Sequence, residues 1–316
     1  MTDGQKGVAG MVLASSVWGL SSLYYKLLDH VPPLEVLSHR TLWSCVFFLG
    51  VLAVQGRLSH IRTVLLNRRA LPLILIAAVT IAANWFLFIL SIQIGKATEA
   101  SLGYYIFPLV AVLIGVVVFR EGLSRAQVVA VGLATLAVVV LTLGLGVAPW
   151  VSLLLSLTFG LYGLIKKKLD VGPVVSVTVE VLVLTPIALI VLFSQWQAGQ
   201  AAYGANVQDT LLLMVSGPLT ATPLILFSSA ARRVNMSTVG LVQYVNPTLQ
   251  FLCAVLVFRE PFGHWHAIAF TLIWTALAIY SVATVRQDRA ARRASSAAAG
   301  EGTTVMNSNM DASAKP

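Results

Sequence analysis

Two stretches 139 residues apart decide how this chain folds: YIFPLVAVLIGVVVFRE at 105–121 and YVNPTLQFLCAVLVFRE at 244–260. Each sets a tyrosine three residues before a proline and closes an apolar run on Val-Phe-Arg-Glu. Tyr105, Pro108, Val118, Phe119, Arg120 and Glu121 thus recur as Tyr244, Pro247, Val257, Phe258, Arg259 and Glu260. Near the starts of the two halves, Gly19 and Lys26 recur at an offset of 141 as Gly160 and Lys167. The chain is read as a duplication of a membrane-spanning unit.

Working outward, a helix needs about 20 mostly apolar residues to cross a bilayer. Runs of that length, separated by charge clusters and Pro/Gly breaks, place spans near 8–28, 34–54, 71–91, 98–119, 125–145, 149–165, 174–193, 210–230, 238–258 and 264–285. The first run carries Trp18, Tyr24, Tyr25 and Lys26 where a small-residue cleavage site would stand, so it is read as a retained span rather than a signal peptide. Between the fifth and sixth, Gly144, Gly146 and Pro149 are the only punctuation. Five spans per repeat is an odd number, so the second copy enters the membrane from the other side. Inverted repeats of this kind mark alternating-access transporters, with substrate held near the midplane. The expected fold is an all-α integral membrane protein of ten transmembrane helices in two inverted five-helix repeats, 1–145 and 146–285, followed by a disordered cytoplasmic tail, 286–316.

Composition agrees with a membrane chain. Soluble domains carry about a quarter charged residues, whereas this chain has 10% charged and 58% hydrophobic residues and a mean hydropathy of +0.86. The net charge of +9 would suit nucleic acid, but the basic residues form short clusters between apolar runs with no contiguous basic face, so no nucleic-acid partner is read. With the N-terminus inside, 17 of the 21 Lys and Arg fall on the cytoplasmic side, leaving only Lys26, Arg40, Lys96 and Arg259 opposite. That asymmetry places both termini in the cytoplasm and requires an even number of spans. Cys45 and Cys253 each sit inside an apolar run and offer no disulfide framework.

Ionisable and polar residues at membrane depth are the candidates for function. Glu35-Val-Leu-Ser-His39-Arg40 opens the second span with three of them. Arg40 suits an anionic group at the mouth of a wet cavity, against the plainer reading that it snorkels to the headgroups. Glu35 and His39 lie one turn apart on a shared face. Glu180, deep in the apolar run 174–193, is the most expensive residue, with Glu35 as its approximate counterpart in the repeat. A carboxylate that changes charge as a cavity alternates between two waters couples proton movement to solute movement. Glu180, Glu35 and His39 are therefore the proton-coupling candidates, with structural hydrogen bonding the alternative for Glu180. In the third span Asn84 and Ser91 share a face beside Trp85, and Asn84 is either a ligand contact or glue between helices. Ser101, Tyr105 and Pro108 line up in the fourth span, and Gln243, Asn246 and Gln250 form a polar stripe beside Tyr244 and Pro247 in the ninth. Pro108 and Pro247 each free a carbonyl, as a kink or a cavity wall would require. The expected substrate-lining set is Tyr24, Arg40, Asn84, Trp85, Tyr105, Gln243 and Tyr244, and its aromatic faces and guanidinium suit an amphiphilic or amino-acid-like solute.

Taken in order, Trp18-Gly-Leu with Tyr24-Tyr-Lys26, the Glu35–Arg40 segment, Ala83-Asn-Trp85, Ala100-Ser-Leu-Gly-Tyr104-Tyr-Ile-Phe-Pro108, Phe159-Gly-Leu-Tyr162-Gly, Glu180 and Gln243-Tyr-Val-Asn-Pro247-Thr resemble the RarD family of EamA-type drug/metabolite transporters, over nearly all of residues 7–285. The resemblance implies a ten-helix inner-membrane permease of the kind associated with chloramphenicol sensitivity and efflux, and leaves the substrate undefined. Phe107 departs from the pattern, since the family usually has Asn before the first-half proline, so a polar contact there falls to Asn246 alone. Rival classes are a membrane enzyme, against which stands the lack of His-Glu-x-x-His, Gly-x-Ser-x-Gly or an acidic metal cluster, and a receptor or assembly partner. His264 and His266, two apart on a helix, diverge and make no metal site. No cofactor is implied, and monomer and homodimer both stay open.

Overall fold

The computed structural model describes residues 2–120, 124–234 and 236–286; the repeated Glu121 and the tail beyond Arg286 lie outside them. With no water in the bilayer core, backbone groups are satisfied within helices, and the described chain is helical almost throughout. The helices are α1 (Asp3–Lys26), α2 (Pro33–Val54), α3 (Ser59–Leu65), α4 (Ala70–Gln93), α5 (Ala97–Phe119), α6 (Arg125–Leu145), α7 (Trp150–Lys167), α8 (Pro173–Gln197), α9 (Val207–Ala231), α10 (Met236–Gln243) and α11 (Val245–Leu252), then α12 (His264–Arg286). Their starts follow local chemistry. Capping boxes open α1 at Thr2/Gln5 and α6 at Ser124/Gln127, while Pro33 and Pro173 open α2 and α8 at the first helical position.

Among the described residues nine segments are long and apolar enough to cross a membrane, the ninth expected span counting once as 238–257. The remaining expected span, α7, is an 18-residue helix that ends on Lys166 and Lys167 and carries Ser152, Ser156 and Thr158, which keeps it below that level of apolarity. The helix at 238–257 is not continuous. It breaks at Tyr244 between α10 and α11, three residues before Pro247, and runs on into a π-helical turn at Cys253–Val257. Pro108, by contrast, stands inside the unbroken α5.

Polar and apolar surfaces are distributed as lipid demands. Leu13, Val46, Val79, Leu143, Ile190 and Phe193 are exposed on the outside, while Ser15, Ser44, Asn84, Ser101, Ser152 and Ser176 are buried between helices. Small residues let the helices approach. A Cβ on Gly217 would come within 2.3 Å of the Trp43 carbonyl carbon, so α9 lies directly on the backbone of α2. The centre is built by α2 against α8 and α9, α1 against α9 and α11, and α7 against α4 and α5. At the flank, Ala130, Ala134 and Ala137 of α6 pack with Ala269, Phe270 and Ile273 of α12. Arg120 and Arg259, the repeated arginines of the two opening stretches, are the non-glycine residues with left-handed backbone among those described, at φ 55° and 54°.

Candidate functional site

A cavity of about 700 Å3 runs into the centre of the bundle. Its wall reaches the helix ends at Gln127, Lys167 and Val285, and includes none of the connections at 27–32, 94–96, 198–206 or 258–263. It is open on one side and blind on the other. On α5, Tyr104, Phe107, Ala111 and Gly115 face it at helical spacing; on α11, Asn246, Pro247 and Gln250 do.

The blind side is sealed by polar contacts between connections. The Glu260 carboxylate accepts from the backbone N–H groups of Ala97 and Thr98, both at 2.7 Å, which caps α5. Glu35 Oε1 accepts from Ala202 N at 2.8 Å, and Gln93 donates to the Leu28 and Val31 carbonyls at 3.1 and 2.9 Å. His30 meets Asp209 at 3.0 Å.

Arg40 sits in the wall at the blind end, with only 6% of its surface exposed. Its guanidinium lies 4.2 Å from the Trp85 ring centroid and 5.5 Å from that of Tyr25. Nε and Nη1 are buried without a hydrogen-bond partner, and no carboxylate pairs with Arg40 among the described residues. Among the described residues no Asp or Glu lines the cavity, and its charged wall residues are Arg40 and Lys167. The interior therefore presents a fixed positive charge in an aromatic setting.

The expected lining set is only partly gathered here. Arg40, Asn84, Trp85, Gln243 and Tyr244 line the cavity; Tyr24 and Tyr105 do not. Tyr24 points to α9, where its hydroxyl donates to the Leu212 carbonyl. Tyr105 bonds Thr248 at 2.7 Å and packs on Phe270 and Trp274. Neighbouring helical residues differ by about 100° in direction, and it is Tyr104 and Tyr25 that turn towards the centre and towards Arg40. Asn84 touches the cavity, but Leu155 O and Thr158 take its amide hydrogens at 3.0 and 2.9 Å, and Tyr104 donates to its oxygen at 3.1 Å. It clamps α4 to α7 and α5. Phe107, standing where the family pattern has Asn, packs edge-on against Phe159 at 4.9 Å, and Gln250 donates to Asn246 at 2.9 Å on the opposite wall.

Glu180 is wholly buried and, although Val, Leu and Thr surround it in the sequence, it is not isolated. It accepts from Lys166 at 2.7 Å, Ser176 at 2.8 Å and Tyr162 at 2.9 Å. Lys166, which sequence reading places among the cytoplasmic anchors, folds back across the short 168–172 connection to make this ion pair. Tyr162 lines the cavity, so the pair stands one hydrogen bond behind its wall. Glu180 also answers to Arg40 rather than Glu35: each lies seven residues after the proline that opens its helix, Pro33 or Pro173. Glu35 and His39 line a separate, smaller pocket, as their shared helix face predicts.

Comparison with known proteins agrees with this architecture. The sequence profile of the EamA-like transporter family matches residues 5–143 and again 147–282. The chain is 44% identical over 288 residues to "Protein RarD" of Streptomyces exfoliatus, covering 90% of this chain and 91% of that protein. It is 39% identical over 293 residues to "Uncharacterized transporter YojE" of Bacillus subtilis, covering 91% and 97%, and 35% identical over 286 residues to "Protein RarD" of Escherichia coli, covering 90% and 97%. A solved crystal structure shares the fold at a TM-score of 0.57 and 17% identity, covering 87% of this chain and 96% of that one. A bundle of apolar helices around a one-sided cavity, matched twice by that profile, belongs to a membrane transporter of the EamA-like family and, within it, of the RarD type.

Proposed function

We propose that the protein is a ten-span, alternating-access transporter that exports a small organic solute bearing an anionic group across the cell inner membrane. The observation that carries this reading is Arg40, buried at the blind end of a central cavity with Nε and Nη1 unpartnered and no carboxylate paired with it among the described residues. A guanidinium cannot shed its charge at ordinary pH, and an unpaired buried ion is costly. A carboxylate or similar anion on the solute would relieve that cost on binding, while Trp85, Phe88, Tyr104 and Phe159 offer faces to an apolar or aromatic body.

The inverted repeat draws support from the packing. Exchanging the halves turns the α1–α9 contact into α7–α4, α2–α9 into α8–α4, and α5–α7 into α11–α1, and both members of each pair occur. The left-handed Arg120 and Arg259 stand at matching positions. The cavity opens on the side that the basic residues assign to the cytoplasm, which suits loading from within. Reporter fusions after Arg69 and Lys168 are expected to read cytoplasm, and one near Gln200 the far side. Proton coupling falls to Glu180, whose pair with Lys166 abuts the cavity through Tyr162.

The test is flux. Purified protein in liposomes is expected to move an aromatic or alkyl carboxylate found by thermal-shift screening, and not its matched amide. Binding without flux identifies a receptor instead. Flux of amides and amines as fast as of carboxylates removes the assigned anion specificity, and inward-only flux overturns export.

A further inference from the structure

A second pocket, of about 280 Å3, lies on the sealed side of the bundle between α2, the C-terminal end of α8 and the 198–206 connection. Three features set it apart from an ordinary surface groove. First, its wall includes Glu35, with none of its surface exposed, whose Oε1 accepts from Ala202 N and Tyr203 N at 2.8 and 3.4 Å while Oε2 has no partner. Second, it is lined by aromatic rings: Trp43, Trp196, Tyr203 and His39, the last two stacked at 4.8 Å. Third, His39 Nδ1 and Trp43 Nε1 are also buried and unpartnered. No cation pairs with Glu35 among the described residues.

We propose that this pocket holds the ammonium group of an amphipathic amine, supplied by an ethanolamine phospholipid headgroup or by a free alkylamine. A carboxylate ringed by aromatic faces suits an organic ammonium: the charge meets Glu35 Oε2, His39 Nδ1 takes a second N–H in the tautomer that carries its proton on Nε2, and the rings attract the cation through their π faces. Trp43 Nε1 donates only, so an acceptor oxygen near the ammonium completes the set. Trp196 is 68% exposed near the end of α8, and tryptophans at span ends favour the headgroup region, which would give an alkyl chain its way out to lipid. Interfacial anchoring accounts for the tryptophans and the Ala202 and Tyr203 contacts account for Oε1, but both leave the buried Oε2 without a reason.

The experiment uses full-length protein in detergent, with the thermal unfolding midpoint followed during titration with hexylammonium, lysophosphatidylethanolamine and lysophosphatidylglycerol of the same chain length. Wild type is expected to be stabilised by at least one ammonium-bearing probe and not by the glycerol lipid. Action of the ethanolamine lipid alone identifies the headgroup as the source; action of hexylammonium identifies the free amine. Glu35→Gln keeps an oxygen for the Ala202 and Tyr203 N–H groups, so it should fold while binding about tenfold or more weakly, the worth of one charge-assisted hydrogen bond. Trp196→Leu removes a ring without touching the carboxylate and should also weaken binding. Equal stabilisation by the glycerol lipid, or an unchanged response in both variants, overturns the proposal.

Discussion

Replacing Arg40 by methionine separates a ligand-binding guanidinium from a structural one, because the two roles require stability changes of opposite sign. The side chain is buried, with Nε and Nη1 unpartnered, and each orphaned donor group costs about 1–3 kcal/mol. Against this stand the contacts to Trp85 at 4.2 Å and Tyr25 at 5.5 Å, worth about 0.5–2 kcal/mol each. Central values leave about 1–2 kcal/mol in favour of removing the charge, in line with the general finding that buried ions are replaced by apolar groups at little or no loss. Arg40→Met should therefore raise the thermal midpoint of the empty protein while abolishing both carboxylate-induced stabilisation and flux. Arg40→Lys keeps a charge but loses the flat stack and the bidentate fork. Losing one charge-assisted bond and one aromatic contact, about 2–4 kcal/mol together, should weaken binding roughly 30- to 700-fold. The assays are thermal unfolding with and without ligand, and flux in liposomes. An Arg40→Met protein that is less stable than wild type yet transports normally refutes the reasoning and makes Arg40 a packing element.

Three further outcomes are expected. Glu180→Gln should abolish solute accumulation on an imposed pH gradient while sparing exchange, and should cost up to about 3 kcal/mol by stranding Lys166, a loss that Lys166→Met added to it restores; accumulation at the wild-type level makes the pair purely structural. Glu260→Ala removes the carboxylate that caps α5 at Ala97 and Thr98, and a lost cap of about 1–2 kcal/mol should raise labelling of a cysteine at the buried Ser101 several-fold, measured with an impermeant maleimide after Cys45 and Cys253 are replaced by alanine. Gly217→Ala places a methyl against the α2 backbone at Trp43 and should cost about 1–3 kcal/mol, read as a lower unfolding midpoint; an unchanged midpoint means that α2 and α9 do not meet as closely as described.

Nine of the ten expected spans, and the order of the helices, are legible because a bilayer demands long apolar runs, and few other structures use them. Helical phase is not. When nearly every face of a helix is apolar, the pattern does not say which side turns inward: Tyr104 lines the cavity in place of the expected Tyr105, and Tyr25 rather than Tyr24 faces Arg40 without lining the cavity. Polar residues escaped that ambiguity, since Arg40, Asn84 and Gln243 must avoid lipid whatever the phase. Pro247 announced a disturbance in its span, yet the break at Tyr244 and the π turn at Cys253–Val257 depend on packing against α1 and α5. The partner of Lys166 is illegible for another reason. A basic residue at a span end reads as an anchor, and only the tight turn between α7 and α8 brings it onto Glu180.

Helices α2 and α8 show where the two halves part in chemistry. Arg40 and Glu180 are each the eighth residue of a proline-started helix, on α2 and α8, which pack against each other at the centre. Duplication supplies the position; the surroundings set the role. Around Glu180 the second half provides three donors, Lys166, Ser176 and Tyr162, so its charge is met within the protein. Around Arg40 the first half provides rings and, among the described residues, no anion. A buried charge that is already paired gains little from a ligand, whereas one left unpaired gains the whole of its missing partner. On the proposed function, specificity for an anionic solute resides in the first half and proton coupling in the second. Exchanging the two residues, Arg40→Glu with Glu180→Arg, should set a guanidinium against the Lys166 ammonium and leave a carboxylate at the cavity's blind end. The expected product is a destabilised protein whose thermal response has switched from carboxylates to amines; a retained preference for carboxylates would show that the sign of residue 40 does not select the solute.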